Sequence, residues 1–503
     1  MSKLSYEEQL AAKKEKTSAS AKKSRGEKSK LVKNGAYSII VTLIVIAIVA
    51  AINLIVHRLP ASYTELDISK NNYFTLSEKS IEIADRVKDD VTLYYLVENG
   101  AENVYIEGLL SQYEGTSKHI KVEKIDPVAY PTFASEYTDS SLSQNSVIVV
   151  SGDKSKVINY SEMFEVDTSV SQQTGQPTTT VTGFDGEGRI TSALAYVSAE
   201  SLPVAYELTG HGETALADIG VKEFVDKENI ELKTLSLIAD GKIPEDCAAV
   251  IINAPLSDIS ADESSMLKEY IANGGKLVIL TIYNGESQPD IKGKLPNLTS
   301  VIAEFGIEPV KGIIIENSSS NYYSNQMYLL PKVNSTDIAG SLFTNGRYIL
   351  APYSSGIKTL DNKPEDLNVT AILSTSDDSF SKVDAGSGTM TQVPDDINGP
   401  FDIAVGVTNS ANSSKLIYFT SAFMLDPSID AYVSGANSEL FANALALTVG
   451  NESSVSIPVK SLEPEQIMVD NFKAGIIKAV TQYIIPLLLV ITGAVVWYIR
   501  RKK

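Results

Sequence analysis

Apolar positions in the first half of the chain alternate between the periods of strands and helices. The runs VTLYYLV (91–97) and IKVEKIDPV (120–128) predict two strands that flank a helix over about 102–117. SVIVVSGDKSKVINY (146–160) predicts a hairpin turning at Gly152 and Asp153, and GRITSALAYVSAE (188–200) predicts a closing helix. The polar stretch 172–188 is predicted to be a flexible loop because it is rich in Gly, Thr and Gln, and GFDGEGR (183–189), which overlaps its end, is predicted to be a loop as well.

This order, β-α-β-α-β-β-α, predicts that residues 62–200 form a thioredoxin-like α/β domain, although the sequence has no cysteine pair for redox chemistry. Residues 201–450 predict a second α/β domain with a doubly wound parallel sheet. Its strands AAVIINAP (248–255) and KLVILTI (276–282) are continuous apolar runs, as expected for strands buried on both faces. FDIAVGV, KLIYFTSA and a helix over 438–450 complete this domain, and residues 451–478 are predicted to be a linker.

Two apolar segments predict transmembrane helices over residues 36–57 and 479–499. The first contains 21 residues without a charge (Ala36–Val56), and about 20 apolar residues are enough to cross the hydrocarbon core of a bilayer. A cleavable signal peptide is the alternative for the first segment, but its apolar run is longer than a typical h-region. A buried core helix is the alternative for the second, but a basic tail follows it directly.

Basic residues flank both apolar segments on their outer sides. Residues 1–35 carry ten Lys and Arg against four Asp and Glu, and residues 500–503 are all basic. The positive-inside rule therefore predicts a two-pass protein of the cell membrane, with both basic tails cytoplasmic and residues 58–478 extracytoplasmic. The lipid bilayer is thus an expected partner.

Charge and cysteine content exclude several classes of function. The net charge is -19 although the two tails are basic, so the central part of the chain is strongly acidic and is not expected to bind nucleic acid. Cys247 is the only cysteine, which excludes an internal disulfide and a thiolate zinc cluster. With three histidines and no phosphate-binding loop motif, the sequence predicts neither a metal site nor a cofactor.

The motif Gly210-His211-Gly212-Glu213 follows a predicted strand and is the candidate functional site. The carboxyl edge of an α/β sheet is where ligands bind, and Glu213 is close enough to orient the imidazole of His211. We therefore identify Gly210, His211, Gly212 and Glu213 as candidate ligand-binding residues. A structural turn is the favoured alternative, because no Ser, Cys or metal-ligand partner is identifiable in the sequence.

Several segments in one order resemble the Gldg family, the auxiliary components of ABC transporters associated with gliding motility. They are LDISKNNYFTLSEKSIEIADRVKDDVTLYYLV, GEGRITSALAYVSAESLPVAYELTGHGE, DCAAVIINAPLSDISADESSMLKEYIANGGKLVIL and the C-terminal apolar segment with its basic tail. The resemblance implies a subunit of a membrane ABC complex that acts beside a permease and an ATPase. It also implies that the second domain is similar to class I glutamine amidotransferases.

Amidotransferases of that fold use a cysteine nucleophile, but Cys247 lies at the start of a strand and not on the turn after one. The chain is therefore predicted to be no enzyme, with ATP hydrolysis in a separate partner. The predicted function is a non-catalytic extracytoplasmic auxiliary subunit that binds a small-molecule substrate or an envelope polymer, or gates the permease. The alternatives are a membrane-anchored enzyme acting on envelope material through His211 and Glu213, and a receptor or scaffold without a transporter.

Overall fold

The computed structural model describes residues 41–51, 72–170, 177–282, 291–334, 338, 347–384, 389–450, 457, 459–462, 486, 493, 497 and 501. The chain divides into two compact units, which are Met1–Met163 with Asp185–Pro458, and Phe164–Phe184 with Val459–Lys503. The described residues form a mixed α/β structure with many strands.

The predicted transmembrane helices are wrong by the criterion of length and apolarity. No helix in the described ranges is both long and apolar enough to cross a membrane. Residues 41–51 are helical, and eleven residues span only about 16 Å of a hydrocarbon core about 30 Å thick. The rest of 36–57 and all of 479–499 except residues 486, 493 and 497 lie outside the described residues. The predicted two-pass localisation in the cell membrane is therefore wrong as well, because it depended on both helices.

The N-terminal part of the larger unit contains α1 (Glu78–Arg86), β1 (Val91–Leu96), α2 (Val104–Thr116), β2 (Ile120–Ile125), β3 (Val147–Ser151) and β4 (Lys154–Ile158). Its sheet has the order β2-β1-β3-β4, in which β1 and β2 are parallel and the other pairs are antiparallel. Both helices begin at capped residues. The Ser77 side chain accepts a hydrogen bond from the Ser80 amide, and the Asn103 side chain accepts from the amides of Tyr105 and Ile106.

Helix α3 (Gly186–Ser198) packs on β3 and β4 of this sheet. The loop predicted over 172–188 is therefore wrong where the structure describes it, because Pro177–Phe184 is a strand and the helix begins at Gly186. Threonines favour strands, and the sequence places three of them in a row in this segment. The chain leaves the larger unit after Met163 and returns at Asp185, whose amide donates to the Met163 carbonyl at 2.9 Å.

The described strands of the smaller unit are β5 (Phe164–Val170), β6 (Pro177–Phe184) and β22 (Lys460–Ser461). They form an antiparallel sheet in the order β22-β6-β5. Part of the predicted linker over 451–478 is thus a strand, and residues 463–478 lie outside the described ones.

The largest sheet in the described part of the chain consists of ten strands: β7 (Val204–Leu208), β8 (Glu231–Leu235), β9 (Cys247–Asn253), β10 (Lys276–Leu280), β11 (Ile307–Pro309), β14 (Lys332–Val333), β16 (Ile357–Thr359), β17 (Leu367–Ser374), β20 (Asp402–Asn409) and β21 (Lys415–Phe419). The main order is β11-β16-β20-β21-β10-β9-β7-β8, and β17 pairs with both β20 and β14.

Only part of this sheet is parallel, which corrects the prediction of a parallel sheet throughout. β8, β7, β9, β10 and β21 run parallel, whereas β20 is antiparallel to β21. The reason is the connection between β20 and β21, which consists of residues 410–414. A parallel crossover needs about a dozen residues or more, so a five-residue connection gives a hairpin.

Alternate residues of the parallel strands face two separate hydrophobic clusters, so the sheet is buried on both faces. In β10, Val278 belongs to one cluster together with Phe441, whereas Leu277 and Ile279 belong to the other together with Leu267. The covering and connecting helices are α4 (Lys222–Lys227), α5 (Leu237–Asp240), α6 (Ala261–Ala272), α7 (Ile291–Lys294), α8 (Pro296–Ala303), α9 (Pro427–Asp430) and α10 (Ala436–Val449).

Two small antiparallel sheets complete the described strands of the larger unit. One contains β12 (Ile313–Glu316), β18 (Ser379–Lys382) and β19 (Ile397–Asn398), and the other contains β13 (Tyr328–Leu329) and β15 (Ala351–Pro352). Their strands all lie between Ile313 and Asn398.

Candidate functional site

The Gly-His-Gly-Glu motif lies at the carboxyl edge of the parallel strands, directly after β7. Gly210 has a φ of +122° and Gly212 a φ of +82°, so both adopt backbone conformations that favour glycine. A Cβ atom on Gly212 would also lie 3.1 Å from the side chain of Leu256. The two glycines therefore let the chain turn sharply and keep His211 close to the sheet edge.

Both ring nitrogens of His211 contact carboxylates. Nδ1 lies 2.9 Å from Oε1 of Glu213, and Nε2 lies 3.1 Å from Oε2 of Glu263. The backbone amide of His211 also donates to Oε2 of Glu213 at 2.7 Å. His211 is 6% exposed and Glu263 is 1% exposed, so the three charged groups form a buried cluster.

The protonation of this cluster follows from its contacts. Burial lowers the pKa of His211, but the hydrogen bonds and charges of Glu213 and Glu263 outweigh burial and raise it overall. Burial raises the pKa of Glu263, but hydrogen bonds from Ser260 and the contact with His211 lower it overall. Carboxylate oxygens accept hydrogen bonds, so the two contacts favour the doubly protonated imidazolium over the neutral ring.

Glu263 reaches His211 from the first turn of α6. The Ser260 side chain accepts from the Glu263 amide, and the Glu263 side chain accepts from the Ser260 amide, which is a complete capping box. One carboxylate thus caps a helix and pairs with an imidazolium. The sequence contained a local signal for the cap in Ser260-x-x-Glu263, but no signal for the contact with His211.

Main-chain hydrogen bonds fix the motif against the end of β9. The His211 carbonyl accepts from the amides of Leu256 and Ser257 at 2.9 and 3.0 Å. The Asn253 side chain donates to the Thr214 carbonyl at 2.8 Å, and the Thr214 amide donates to the Asn253 carbonyl at 3.1 Å. These hydrogen bonds therefore join the loop after β7 to the loop after β9. Both loops lie at the carboxyl edge of the sheet, where ligands bind in α/β proteins.

The four predicted site residues lie together as one turn, but their chemistry is that of a fixed ion cluster. An imidazolium whose two N–H groups both face carboxylates has no lone pair to accept a proton or bind a metal. Within the described ranges no group of three or more His, Cys, Asp or Glu residues could hold a metal ion. His119 lies elsewhere in the chain and contacts the exposed Asp90, and His57 lies outside the described residues.

Cys247 lies at the opposite edge of the sheet from His211. It is the first residue of β9 and pairs with Val204 at the start of β7, whereas His211 follows the end of β7. Its Sγ lies 3.6 Å from the Tyr270 hydroxyl, and burial raises the pKa of its thiol to about 11. Cys247 therefore has neither the position nor the ionisation of an amidotransferase nucleophile.

A second buried polar cluster, which sequence reasoning missed, joins α1, α2 and α3. Oε1 of Glu187 accepts from the Ser77 amide and from the Ser80 hydroxyl, each at 2.6 Å. Thr191 lies 2.6 Å from the Tyr113 hydroxyl and 2.9 Å from the Ser80 hydroxyl. The segments N-Y-F-T-L-S and G-E-G-R, which carry part of the family resemblance, therefore meet at Glu187.

Residues 70–164 match a family model described as "Domain of unknown function (DUF7088)". This match covers 95 of the 503 residues and includes the whole four-stranded sheet. No curated protein matches the chain.

Three solved structures show a low similarity to the chain. The mmIFT52 N-terminal domain is 15% identical, with a TM-score of 0.35 over 50% of this chain and 98% of that one. A protein assigned as a GMP synthase component from Thermoplasma acidophilum is 10% identical, with a TM-score of 0.24 over 50% of this chain and 100% of that one. The exo-beta-1,4-mannosidase Op5Man5 from Opitutaceae bacterium strain TAV5 is 9% identical, with a TM-score of 0.24 over 68% of this chain and 48% of that one. Scores this low carry no argument about function.

Proposed function

We propose that this chain is a non-catalytic auxiliary component of an ABC transport system, which acts by binding a substrate, an envelope partner or the permease. The observation that carries the non-catalytic part is the pairing of both His211 ring nitrogens with buried carboxylates. A general base needs a free lone pair, and both ring nitrogens of this imidazole already contact carboxylates.

The transporter part rests on the sequence resemblance to the Gldg family. The first and second of the resembling segments meet around Glu187, and the second and third place Glu213 and Glu263 against the two ring nitrogens of His211. The segments that carry the resemblance therefore hold the larger unit together.

The test of the transporter part is an affinity purification of the tagged full chain from detergent-solubilised total cell extract. We expect an ABC ATPase and a multispan permease to be recovered with the chain in a fixed proportion, as identified by mass spectrometry. Recovery of the chain without either partner, while an unrelated tagged ABC component from the same extract retains its own, would contradict the proposal.

The test of the non-catalytic part is complementation of a deletion strain with a His211→Ala variant. If His211 is structural, activity per folded molecule is unchanged and any loss follows the amount of folded protein. If the variant is fully folded and still binds its partners but does not complement, the enzyme alternative through His211 and Glu213 replaces the proposal.

A further inference from the structure

The loop between β12 and β13, residues 317–327, is uncharged and consists mostly of Asn, Ser and Tyr. Its sequence is NSSSNYYSNQM, in a chain whose net charge is -19. Tyrosine provides a large contact area at a low cost in side-chain entropy, and Asn and Ser provide adaptable hydrogen bonds, so this composition is typical of recognition loops. The function proposed above gives this loop no role.

Hydrogen bonds within the loop and to the adjoining strands hold it in one conformation. The Glu316 amide donates to the Gln326 carbonyl at 3.0 Å, and the Tyr323 amide donates to the Tyr328 carbonyl at 2.9 Å. The side-chain amide of Gln326 also donates to the side-chain oxygen of Asn317 at 3.3 Å. A loop fixed in this way loses less entropy when it binds a ligand than a flexible loop would lose.

Two tyrosines at this loop expose their rings to solvent. Tyr323 is 46% exposed and Tyr432 is 63% exposed. Their ring centres lie 5.2 Å apart with an angle of 44° between the planes, so the rings pack against each other and form an open aromatic surface. Tyr348, which is 70% exposed, belongs to the same region, because the neighbouring Arg347 donates to the Ser434 carbonyl at 2.6 Å.

The aromatic surface formed by Tyr323 and Tyr432 lies at the carboxyl ends of β10 and β21. Tyr432 belongs to the segment that follows β21, and Ala422 of that segment donates its amide to the carbonyl of Thr281, the residue after β10. Phe423 of the same segment packs edge-on against Tyr353, with 5.6 Å between the ring centres. The carboxyl ends of parallel strands form the edge where α/β sheets bind their ligands.

We propose that the aromatic surface binds a neutral polysaccharide, an inference that rests on the proposed function and names the chemical class of its envelope partner. A sugar ring has an apolar face of C–H groups that packs on a tyrosine ring, and a rim of hydroxyl groups that bond to the amide and hydroxyl side chains of the loop. Because the loop carries no charge, it contains no ion that would lose its hydration when the polymer binds. Protein interfaces centre instead on well-packed, desolvated pockets, whereas these two rings are half exposed on a polar loop.

The test is affinity electrophoresis of the purified full chain in native gels that contain hydroxyethylcellulose, soluble starch or galactomannan, which are neutral polysaccharides. We expect at least one of them to retard the chain relative to a reference protein, whereas the acidic polymer alginate should not. Tyr323→Ala and Tyr432→Ala should each weaken this binding about tenfold, because each removes one ring of the surface. Tyr130→Ala is the matched control, since Tyr130 is 63% exposed on the loop after β2, and it should leave the retardation unchanged.

Tyr323→Phe and Tyr432→Phe keep the rings and should retain binding within about twofold, which separates the loss of a ring from a loss of folding. Absence of retardation by all three neutral polysaccharides, or equal retardation of the native chain and both alanine variants, would overturn the proposal. If none of the three retards the chain and Tyr323→Ala instead lowers the recovery of a permease, the surface is a protein contact and the proposal is wrong. Retardation by a neutral polysaccharide without recovery of an ATPase and a permease would support the site and contradict only the transporter part of the proposed function.

Discussion

The carboxylate of Glu263 contacts the imidazole of His211, with 3.1 Å between Oε2 and Nε2. The two residues are 52 positions apart in the sequence, and Glu263 is the second carboxylate that His211 contacts. The contact closes the loop after β7 against the first turn of α6 and leaves the imidazole between two negative charges.

His211→Ala should destabilise the protein by about 3–5 kcal/mol, because it leaves two buried carboxylates without their cation. The measurement is the free energy of unfolding from urea denaturation followed by circular dichroism. His119→Ala is the matched control, since His119 is partly exposed and its partner Asp90 is 96% exposed. The control should lie within about 1 kcal/mol of the native protein. Equal effects of the two substitutions would show that the His211 cluster does not stabilise the fold.

The stability contributed by His211 should fall as pH rises. The pKa of His211 is raised in the folded state, so its contribution is fully present below the unfolded value of about 6.5 and is lost as pH rises through the folded pKa. The difference in unfolding free energy between the native protein and His211→Gln should therefore shrink above about pH 6.5. A difference that stays constant from pH 6 to pH 9 would indicate a neutral imidazole in the folded state.

Ser260→Ala should cost about 1 kcal/mol, because it removes the side chain that caps α6 and also one of the groups that orient Glu263. Ser265→Ala in the same helix is the control. Ser265 bonds only to the Ala261 carbonyl within the helix, and alanine has the higher helix propensity, so this change should be neutral or slightly stabilising. Thermal unfolding of both variants measures the difference, and an unchanged midpoint for Ser260→Ala would contradict the role of the cap.

Glu187→Ala should cost about 1–3 kcal/mol, because the part-buried Ser77 amide and the buried Ser80 hydroxyl both lose the carboxylate that they donate to. The exposed Glu200, just after the same helix, provides the control, and Glu200→Ala should have an effect within about 0.5 kcal/mol. Native-state hydrogen exchange should show faster opening of α1 in Glu187→Ala. If α1 exchanges at the native rate, Glu187 does not join the helices as the contacts indicate.

The elements that the sequence predicted best are those with a continuous apolar run or a clear cap. The predicted strand 91–97 is observed as Val91–Leu96, and the helix predicted over about 102–117 is observed as Val104–Thr116, where Asn103 provides the cap. Less regular segments were predicted less well. A loop was expected over 172–188, but this stretch contains the strand Pro177–Phe184 and the start of the helix Gly186–Ser198.

The sequence was enough to predict where the candidate site lies, but not which residues contact His211. The glycines around His211 indicated a sharp turn at the sheet edge, and Glu213 is adjacent in sequence. The pairing of Glu263 with His211 and the cluster around Glu187 depend on contacts between residues far apart in the chain, for which a single sequence has no periodic signal. The antiparallel pairing of β20 with β21 could have been inferred from the five-residue connection between them.

The hydrogen bond from the Asp185 amide to the Met163 carbonyl has a consequence for how this architecture can vary. The ends of the segment formed by β5 and β6 are already joined by the larger unit, so the length of that hairpin does not determine where α3 begins. Each doubling of an inserted segment would add only about 0.6 kcal/mol of closure entropy. Related chains can therefore carry longer, shorter or entirely different insertions between these two residues while the scaffold around Glu187 stays the same.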